Sequence, residues 1–194
     1  MTSIAVGFEG PFSLASRTHP LLFDQQIANE PGIYLWAIPY CKGGFLVSYI
    51  GETSVSFGQR IKDHVIQTMG GNYRICDPEL LVQGQAKVLW NGLWRRGTRD
   101  KVLEYLEQAE YLAPLARREL QITVVFAAPV RLTARMRRRV EGALAHDVKN
   151  QQPPVSSLLP ADVRYHLRRP SEQPVRVEVS CAELVHGLPS FVEA

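Results

Sequence analysis

Two short runs of β-branched and aromatic residues stand close together in the first third of the chain. Gly32–Ile38 lies between two prolines, and Phe45–Ile50 follows after the short segment 42–44, which contains two glycines. Apolar runs of this length, bounded by turn-forming residues, are typical of β-strands. The pattern therefore predicts a β-hairpin.

The apolar pattern then changes to a helical period. Apolar residues recur every four positions from Phe57 to Met69, and Ser56 begins a Ser-x-x-Gln sequence, which is the form of a capping box. We expect an amphipathic helix that ends at the glycine pair 70–71.

The rest of the chain is divided by proline and glycine. Residues 72–100 carry several such interruptions, so we expect irregular structure with short helices there. The later elements are predicted as a helix over Lys101–Ala116 limited by Pro114, a buried strand over Ile122–Phe126, a helix over Leu132–Lys149 capped by Thr133, and a strand over Val175–Ser180. This order predicts an α+β fold with a small antiparallel sheet.

Composition narrows the class of protein. A chain of 194 residues that is 45% hydrophobic is long enough to form one domain with its own core. Its three widely spaced cysteines suggest neither a disulfide framework nor a cysteine zinc site. The start of the chain does not resemble a secretory signal, and no apolar stretch is long enough to span a membrane. We expect a cytoplasmic protein that does not bind membranes.

Two tripeptides in the predicted hairpin, Gly32–Tyr34 and Tyr49–Gly51, have their tyrosines fifteen positions apart. The next predicted helix carries Arg60 and His64, and the helix after the following strand carries the isolated Glu141. This order of residues resembles the signature of the GIY-YIG nuclease family.

The resemblance covers residues 31–152 and implies the fold of that family, a small three-stranded antiparallel sheet flanked by helices. Residues 1–30 and 153–194 lie outside it, as extensions of unknown role on a single domain. Members of the family hydrolyse phosphodiester bonds with a divalent metal. The implied activity is therefore that of an endonuclease acting on DNA with Mg²⁺ or Mn²⁺, and RNA is not excluded as a substrate.

The resemblance assigns catalysis to five residues: Tyr34, Tyr49, Arg60, His64 and Glu141. The two phenols, on adjacent strands, are expected at one surface patch, where one accepts or relays the proton of the attacking water. Arg60 and His64 are four residues apart on one helical face, where they suit phosphate contact and proton exchange. Gly51 is a further site residue of the same motif.

Glu141 has two interpretations. The resemblance implies that it binds the metal, whereas Arg137 and Arg138 upstream would allow an ordinary helix ion pair instead. The asparagine that the family has after this helix is matched only by Asn150 or Ser156. Glu52 also departs from the family, since some members have a basic residue there; an acidic group either points away from the phosphate or helps to bind the cation.

Basic residues are unevenly distributed. Residues 128–169 hold nine Lys and Arg against three acids. A second group, the 95–101 cluster, consists of Arg95, Arg96, Arg99 and Lys101. Such patches are expected where a protein contacts a phosphate backbone, and solvated helix faces are the alternative. The predicted nucleic-acid-binding residues are Arg95, Arg96, Arg99, Arg135 and Arg138.

Two other functions fit parts of the sequence. A nucleic-acid-binding module that has the GIY-YIG fold but no catalytic activity would explain Glu52 and the uncertain asparagine. It would not need the carboxylate of Glu141. A structural adaptor that binds protein through its tail would rest only on the two extensions.

Overall fold

The structure is a computed structural model that describes residues 3–15, 18–93, 99–160, 163 and 165–194. Within these residues the strands are β1 (Ser3–Ser13), β2 (Gly32–Pro39), β3 (Phe45–Thr53), β4 (Ile75–Cys76), β5 (Val88–Trp90), β6 (Val124–Pro129), β7 (Arg176–Cys181), β8 (Val185–His186) and β9 (Phe191–Glu193). The α-helices are α1 (Phe57–Met69), α2 (Pro78–Leu81), α3 (Arg99–Ile122), α4 (Ala134–Lys149) and α5 (Val155–Leu158). Two 3₁₀ helices, Leu22–Asp24 and Gln26–Asn29, precede β2.

The main sheet is larger than the sequence predicts. Seven strands pair in the order β8-β3-β2-β6-β1-β7-β9, and β4 and β5 form a separate pair. The expected antiparallel set β3-β2-β6 lies inside this sheet, but β1 is parallel to β7 and β8 is parallel to β3. The prediction of a small three-stranded antiparallel sheet is therefore wrong, and the sheet is mixed.

The additional strands come from the two extensions outside the predicted core. Along β1, Val6 and Phe8 are buried while their neighbours are exposed, so one face of the strand packs on the core. β7 alternates in the same way through Val177 and Val179. Strand pairing thus joins the beginning and the end of the chain to β6 on one side of the sheet.

Helices cover both faces of the sheet. On one face, Val140, Leu144 and Val148 of α4 pack against alternate residues of the central strands, such as Ile33 and Leu35. On the other face, Phe57 and Ile61 of α1 and Leu120 of α3 pack against Tyr34 and Val125. The two helices that carry the predicted site residues therefore lie on opposite sides of the sheet.

The predicted helix caps are confirmed. Ser56 accepts a hydrogen bond from Gln59 N at 3.2 Å, and Thr133 accepts one from Met136 N at 3.3 Å. The predicted end of α3 is wrong, because the helix continues through Pro114 as far as Ile122. In the described part of the chain, no helix has both the length and the apolar character needed to cross a membrane.

A β-bulge interrupts the pairing of β2 with β3. Trp36 pairs with Tyr49 and Ala37 pairs with Val47, so Ser48 has no partner residue on β2. The Ser48 hydroxyl donates to the carbonyl of Trp36 at 3.1 Å. Beyond the bulge, Ile50 belongs to the core on the α4 side while Tyr49 packs on the α1 side.

Candidate active site at the open edge of the sheet

The five predicted catalytic residues lie on or beside the outer half of β3. The neighbouring strand β8 pairs with β3 only at Phe45 and Leu46. In the described structure, no strand covers the outer edge of β3 from Tyr49 to Thr53. α1 and α4 flank this half of the strand from opposite faces, so side chains from both helices can meet there.

Tyr34 is the centre of a buried hydrogen-bond network on the α1 face. Its hydroxyl lies 2.7 Å from His64 Nε2 and accepts a hydrogen bond from Arg60 Nε at 3.3 Å. The spacing of Arg60 and His64 by one helical turn points both side chains at the same phenol. Since Arg60 donates to the phenol oxygen, the phenol proton is free to be donated to His64 Nε2.

Protonation states follow from burial. Burial and the positive charge of Arg60 lower the pKa of His64 to about 3, so its imidazole is neutral at physiological pH. Burial, together with the neighbouring Tyr49, raises the pKa of Tyr34 well above its usual value. The pKa of Tyr49 is also raised, by burial and then by the charge of Glu141. Both phenols therefore keep their protons at neutral pH.

The two tyrosines differ in their access to solvent. Tyr34 is 0% exposed, so the expectation that both phenols lie at the surface is wrong for this residue. Tyr49 is half-buried and lines a cavity beside the network. The ring centroids of the two tyrosines lie 6.1 Å apart. Tyr49 is thus the phenol that a bound molecule can reach.

The glycines of the two tripeptides permit this close packing. A Cβ atom on Gly51 would lie 2.8 Å from Tyr49 Cε1 and closer still to Tyr34 Cζ and Oη. A Cβ atom on Gly32 would lie 2.8 Å from Phe57 Cζ and would overlap the carbonyl oxygen of Ala128. Gly51 therefore allows the two tyrosine rings to approach each other, and Gly32 allows α1 to pack on the sheet.

Glu141 reaches the site from α4. Its carboxylate accepts a hydrogen bond from the backbone N–H of Glu52, and the charge of Arg60 acts on it. Burial first, and the charge of Glu52 second, raise the pKa of Glu141 to about 7. The predicted ion pair does not involve Glu141, since Arg137 Nε lies 3.0 Å and Arg138 Nε 3.5 Å from the carboxylate of Glu52 instead.

A divalent cation fits this set of donors. Mg²⁺ in proteins is usually held by one or two carboxylates, with water and phosphate oxygens as the other ligands. Among the described residues Glu141 has no ion-pair partner, and the carboxylate of Glu52 beside it is already neutralised by two arginines. A cation would offset the cost of ionising this buried carboxyl, which is the main reason that the Glu141 pKa is raised. The described residues contain no cluster of three or more His, Cys, Asp or Glu suited to hold a metal.

Several predicted residues lie away from this constellation. Asn150 caps the C-terminus of α4 and contacts the His146 ring, about 13 Å along the helix from Glu141. Ser156 lies in α5. Arg135 forms a bidentate pair with Glu172, so its charge is matched within the chain.

The predicted nucleic-acid-binding arginines are only partly described. Arg138 is half-exposed and pairs with Glu52 beside the site. Arg95, Arg96 and the side chain of Arg99 lie outside the described residues. The structure therefore describes the side chains of Arg135 and Arg138 but not those of Arg95, Arg96 and Arg99.

Sequence patterns missed three residues next to the network. Tyr73 stacks near His64 with ring centroids 5.4 Å apart, and its pKa is raised by burial. Arg74 and Glu119 line the same cavity as Tyr49 and Tyr73. Only the fold brings these residues to the site. No motif marks them, although the Tyr73-Arg74 pair, two residues after the glycines 70–71, is a polar signal near a predicted helix end.

Comparison with known proteins identified no relative of the chain. No family model, curated protein or solved structure matches the chain. The interpretation of the site therefore depends on the geometry of its own residues.

Proposed function

We propose that the protein is a divalent-metal-dependent endonuclease of GIY-YIG type that hydrolyses phosphodiester bonds in DNA. One observation carries the proposal. Five residues spread over more than half of the chain, Tyr34, Tyr49, Arg60, His64 and Glu141, converge at the open edge of β3. They combine a cation, two phenols, an imidazole and a carboxylate, which are the groups that phosphodiester hydrolysis needs.

Arg60 is suited to bind a phosphate oxygen. Its Nε atom is used by the Tyr34 hydroxyl, while the described structure gives its terminal nitrogens no partner. The neighbouring phenols raise its pKa further, so it is always a cation. A planar guanidinium held from behind by Tyr34 presents its remaining N–H groups in a fixed direction.

The protons of the network support a specific division of roles. His64 is neutral and accepts from Tyr34, so these two residues hold Arg60 in position and do not contact the phosphate themselves. Tyr49 keeps its proton and faces the cavity, which favours donation to a phosphate or leaving oxygen over the proton acceptance expected from the sequence. A bound Mg²⁺ would supply the acidified water and neutralise the phosphoryl charge.

The properties of Glu141 favour an enzyme over a module that only binds nucleic acid. A half-buried carboxylate with a raised pKa repels phosphate and does not help to bind nucleic acid electrostatically. It becomes useful when it holds a cation between itself and the phosphate. The absence of an ion pair to Arg137 or Arg138 within the described structure supports the metal-ligand role over the helix-pair role.

The proposal is tested by incubating the purified protein with supercoiled, linear, branched and single-stranded DNA in Mg²⁺, Mn²⁺ or EDTA. Wild-type protein is compared with Glu141→Gln and with Glu107→Gln, a control at an exposed glutamate on α3. We expect metal-dependent cleavage by the wild type and the control, and none by Glu141→Gln. DNA binding by Glu141→Gln should be unchanged or tighter, since a negative charge has been removed.

Stability measured on the same preparations gives an independent check. Because the pKa of Glu141 is raised from 4.5 to about 7, its ionisation costs the folded state stability from about pH 4.5 upward, fully above pH 7, so Glu141→Gln should unfold at the same or a higher temperature. Metal-dependent cleavage by Glu141→Gln would remove Glu141 as the metal ligand. DNA binding without cleavage under every condition would make the protein a binding module.

A further inference from the structure

A cavity of about 370 Å³ opens directly beside the proposed catalytic residues. One part of its wall is aromatic and is formed by Trp36, Tyr49, Tyr73 and the imidazole of His64. The His64 ring lies 5.4 Å from each of the other three ring centroids. A planar ring that enters the cavity would therefore find aromatic surfaces around it.

Polar side chains line the cavity as well, among them Ser48, Thr68, Asn72, Arg74, Asn91 and Glu119. Glu119, from α3, is the carboxylate among them, and its Oε2 accepts a hydrogen bond from Cys76 N at 2.8 Å. Within the described structure its Oε1 has no hydrogen-bond donor, and Arg74 nearby makes no ion pair with it. Burial raises the pKa of Glu119 to about 7. Glu119 Oε1 is not among the buried atoms that lack a partner, so it is accessible from the cavity, where a bound molecule can supply a donor.

We propose that this cavity holds one unpaired nucleobase of the nucleic-acid substrate, with Glu119 accepting a hydrogen bond from the amino group of that base. The inference rests on the proposed function. Single bases are commonly bound between aromatic side chains and read by hydrogen bonds to their edges. The free Oε1 suits guanine, whose amino group can donate to it, better than thymine, which has no amino group and whose single N–H is flanked by carbonyls.

The position of the cavity defines the substrate class. Tyr49 and His64 belong both to the cavity wall and to the catalytic constellation, so a base in the cavity lies beside the phosphate held by Arg60. A base paired inside a duplex cannot enter such a cavity without leaving the stack. The preferred substrate is therefore DNA with a bulged, flipped or single-stranded nucleotide next to the cleaved bond.

The test measures binding in EDTA, where cleavage plays no part. The probes are labelled duplexes that are fully paired or carry one bulged guanine or one bulged thymine, followed by fluorescence anisotropy. We expect wild type to bind the bulged-guanine duplex about 10-fold more tightly than the other two. Glu119→Gln keeps an acceptor for the Cys76 N–H and should lose the preference for guanine over thymine.

A second variant and a separate cleavage assay complete the design. Tyr73→Leu should weaken binding of both bulged duplexes about 10-fold, whereas Tyr73→Phe, which keeps the ring, should not. Equal binding of all three duplexes by the wild type would overturn the cavity proposal even if the enzyme cleaves DNA. Base-selective binding that Glu119→Gln abolishes would support it even if no DNA is cleaved, in which case only the proposed nuclease activity fails.

Discussion

Replacing Gly51 by alanine adds one methyl group where two tyrosine rings meet. The new Cβ would lie 2.8 Å from Tyr49 Cε1 and closer to the ring and hydroxyl of Tyr34, although real Cβ contacts essentially never fall below 3.0 Å. Tyr34 is fully buried, and its hydroxyl is bound by His64 and Arg60. Its ring can move away only if these hydrogen bonds lengthen or break.

The expected cost follows from these contacts. Overpacking a core position costs about 1–3 kcal/mol. Loss of a donor to the buried His64 nitrogen adds about 1–3 kcal/mol, so Gly51→Ala should lower the free energy of unfolding by at least about 2 kcal/mol. For a chain of this size, each kcal/mol lowers the melting temperature by about 2–4 °C. The melting temperature should therefore fall by at least about 4–8 °C.

Urea unfolding and thermal melts of wild type, Gly51→Ala and a control measure this cost. Gly7 is a strand glycine whose added Cβ would lie 3.4 Å from Ser180 Oγ, an ordinary contact. Gly7→Ala should be neutral or should stabilise by about 0.4–1 kcal/mol. Equal stabilities of Gly51→Ala and wild type would show that the two rings do not pack against Gly51 as described.

Three further experiments test other parts of the structure. Tyr34→Phe should cost about 1–3 kcal/mol in urea unfolding, since it leaves a buried imidazole nitrogen unpaired, while Tyr49→Phe should cost little; equal costs would contradict the buried network. Alanine at the three arginines of the 95–101 cluster should reduce the salt slope of DNA binding by up to about 3, and an unchanged slope would make them solvated charges. The hydrogen bond from Arg135 lowers the pKa of Glu172 to about 2, so its contribution to stability is present above about pH 4.5 and is lost as the pH falls toward 2. Glu172→Gln should flatten the pH dependence of unfolding over that range, and identical profiles would refute the pair.

Local patterns predicted the central elements of the fold but not the size of the sheet. The hairpin β2-β3 and the capped helices α1 and α4 have complete signals within short windows of sequence. β8 and β9 have two and three residues, too few to show a period, and they become strands only because longer strands lie beside them. The alternation in β1 is present in the sequence, but nothing local predicts that it pairs with both β6 and β7.

The sequence motif predicted which residues form the site, but not how they are buried or which other residues lie beside them. The five residues of the proposed site converge, but their burial does not follow from the sequence, and Tyr34 proves to be internal. Glu119 is distant in sequence from Cys76, which it contacts, and nothing in the pattern of α3 distinguishes it from the other glutamates of that helix. Contacts of this kind depend on how β4, β5 and α3 pack against the main sheet, which local sequence patterns do not show.

Ser48, which has no partner residue on β2, divides β3 into two halves. The residues that face α4 are odd-numbered in the first half and even-numbered in the second. Before it, the odd-numbered residues Phe45 and Val47 face α4; after it, the even-numbered Ile50 does, and Glu52 pairs with arginines of α4. Removing or adding one residue at this point would exchange the faces of the whole outer half, which would turn Tyr49 toward α4 and the Glu52 carboxylate toward α1. The site therefore depends on the length of the chain at this point as well as on its side chains, so a deletion of one codon would disrupt it even though every proposed catalytic residue is retained.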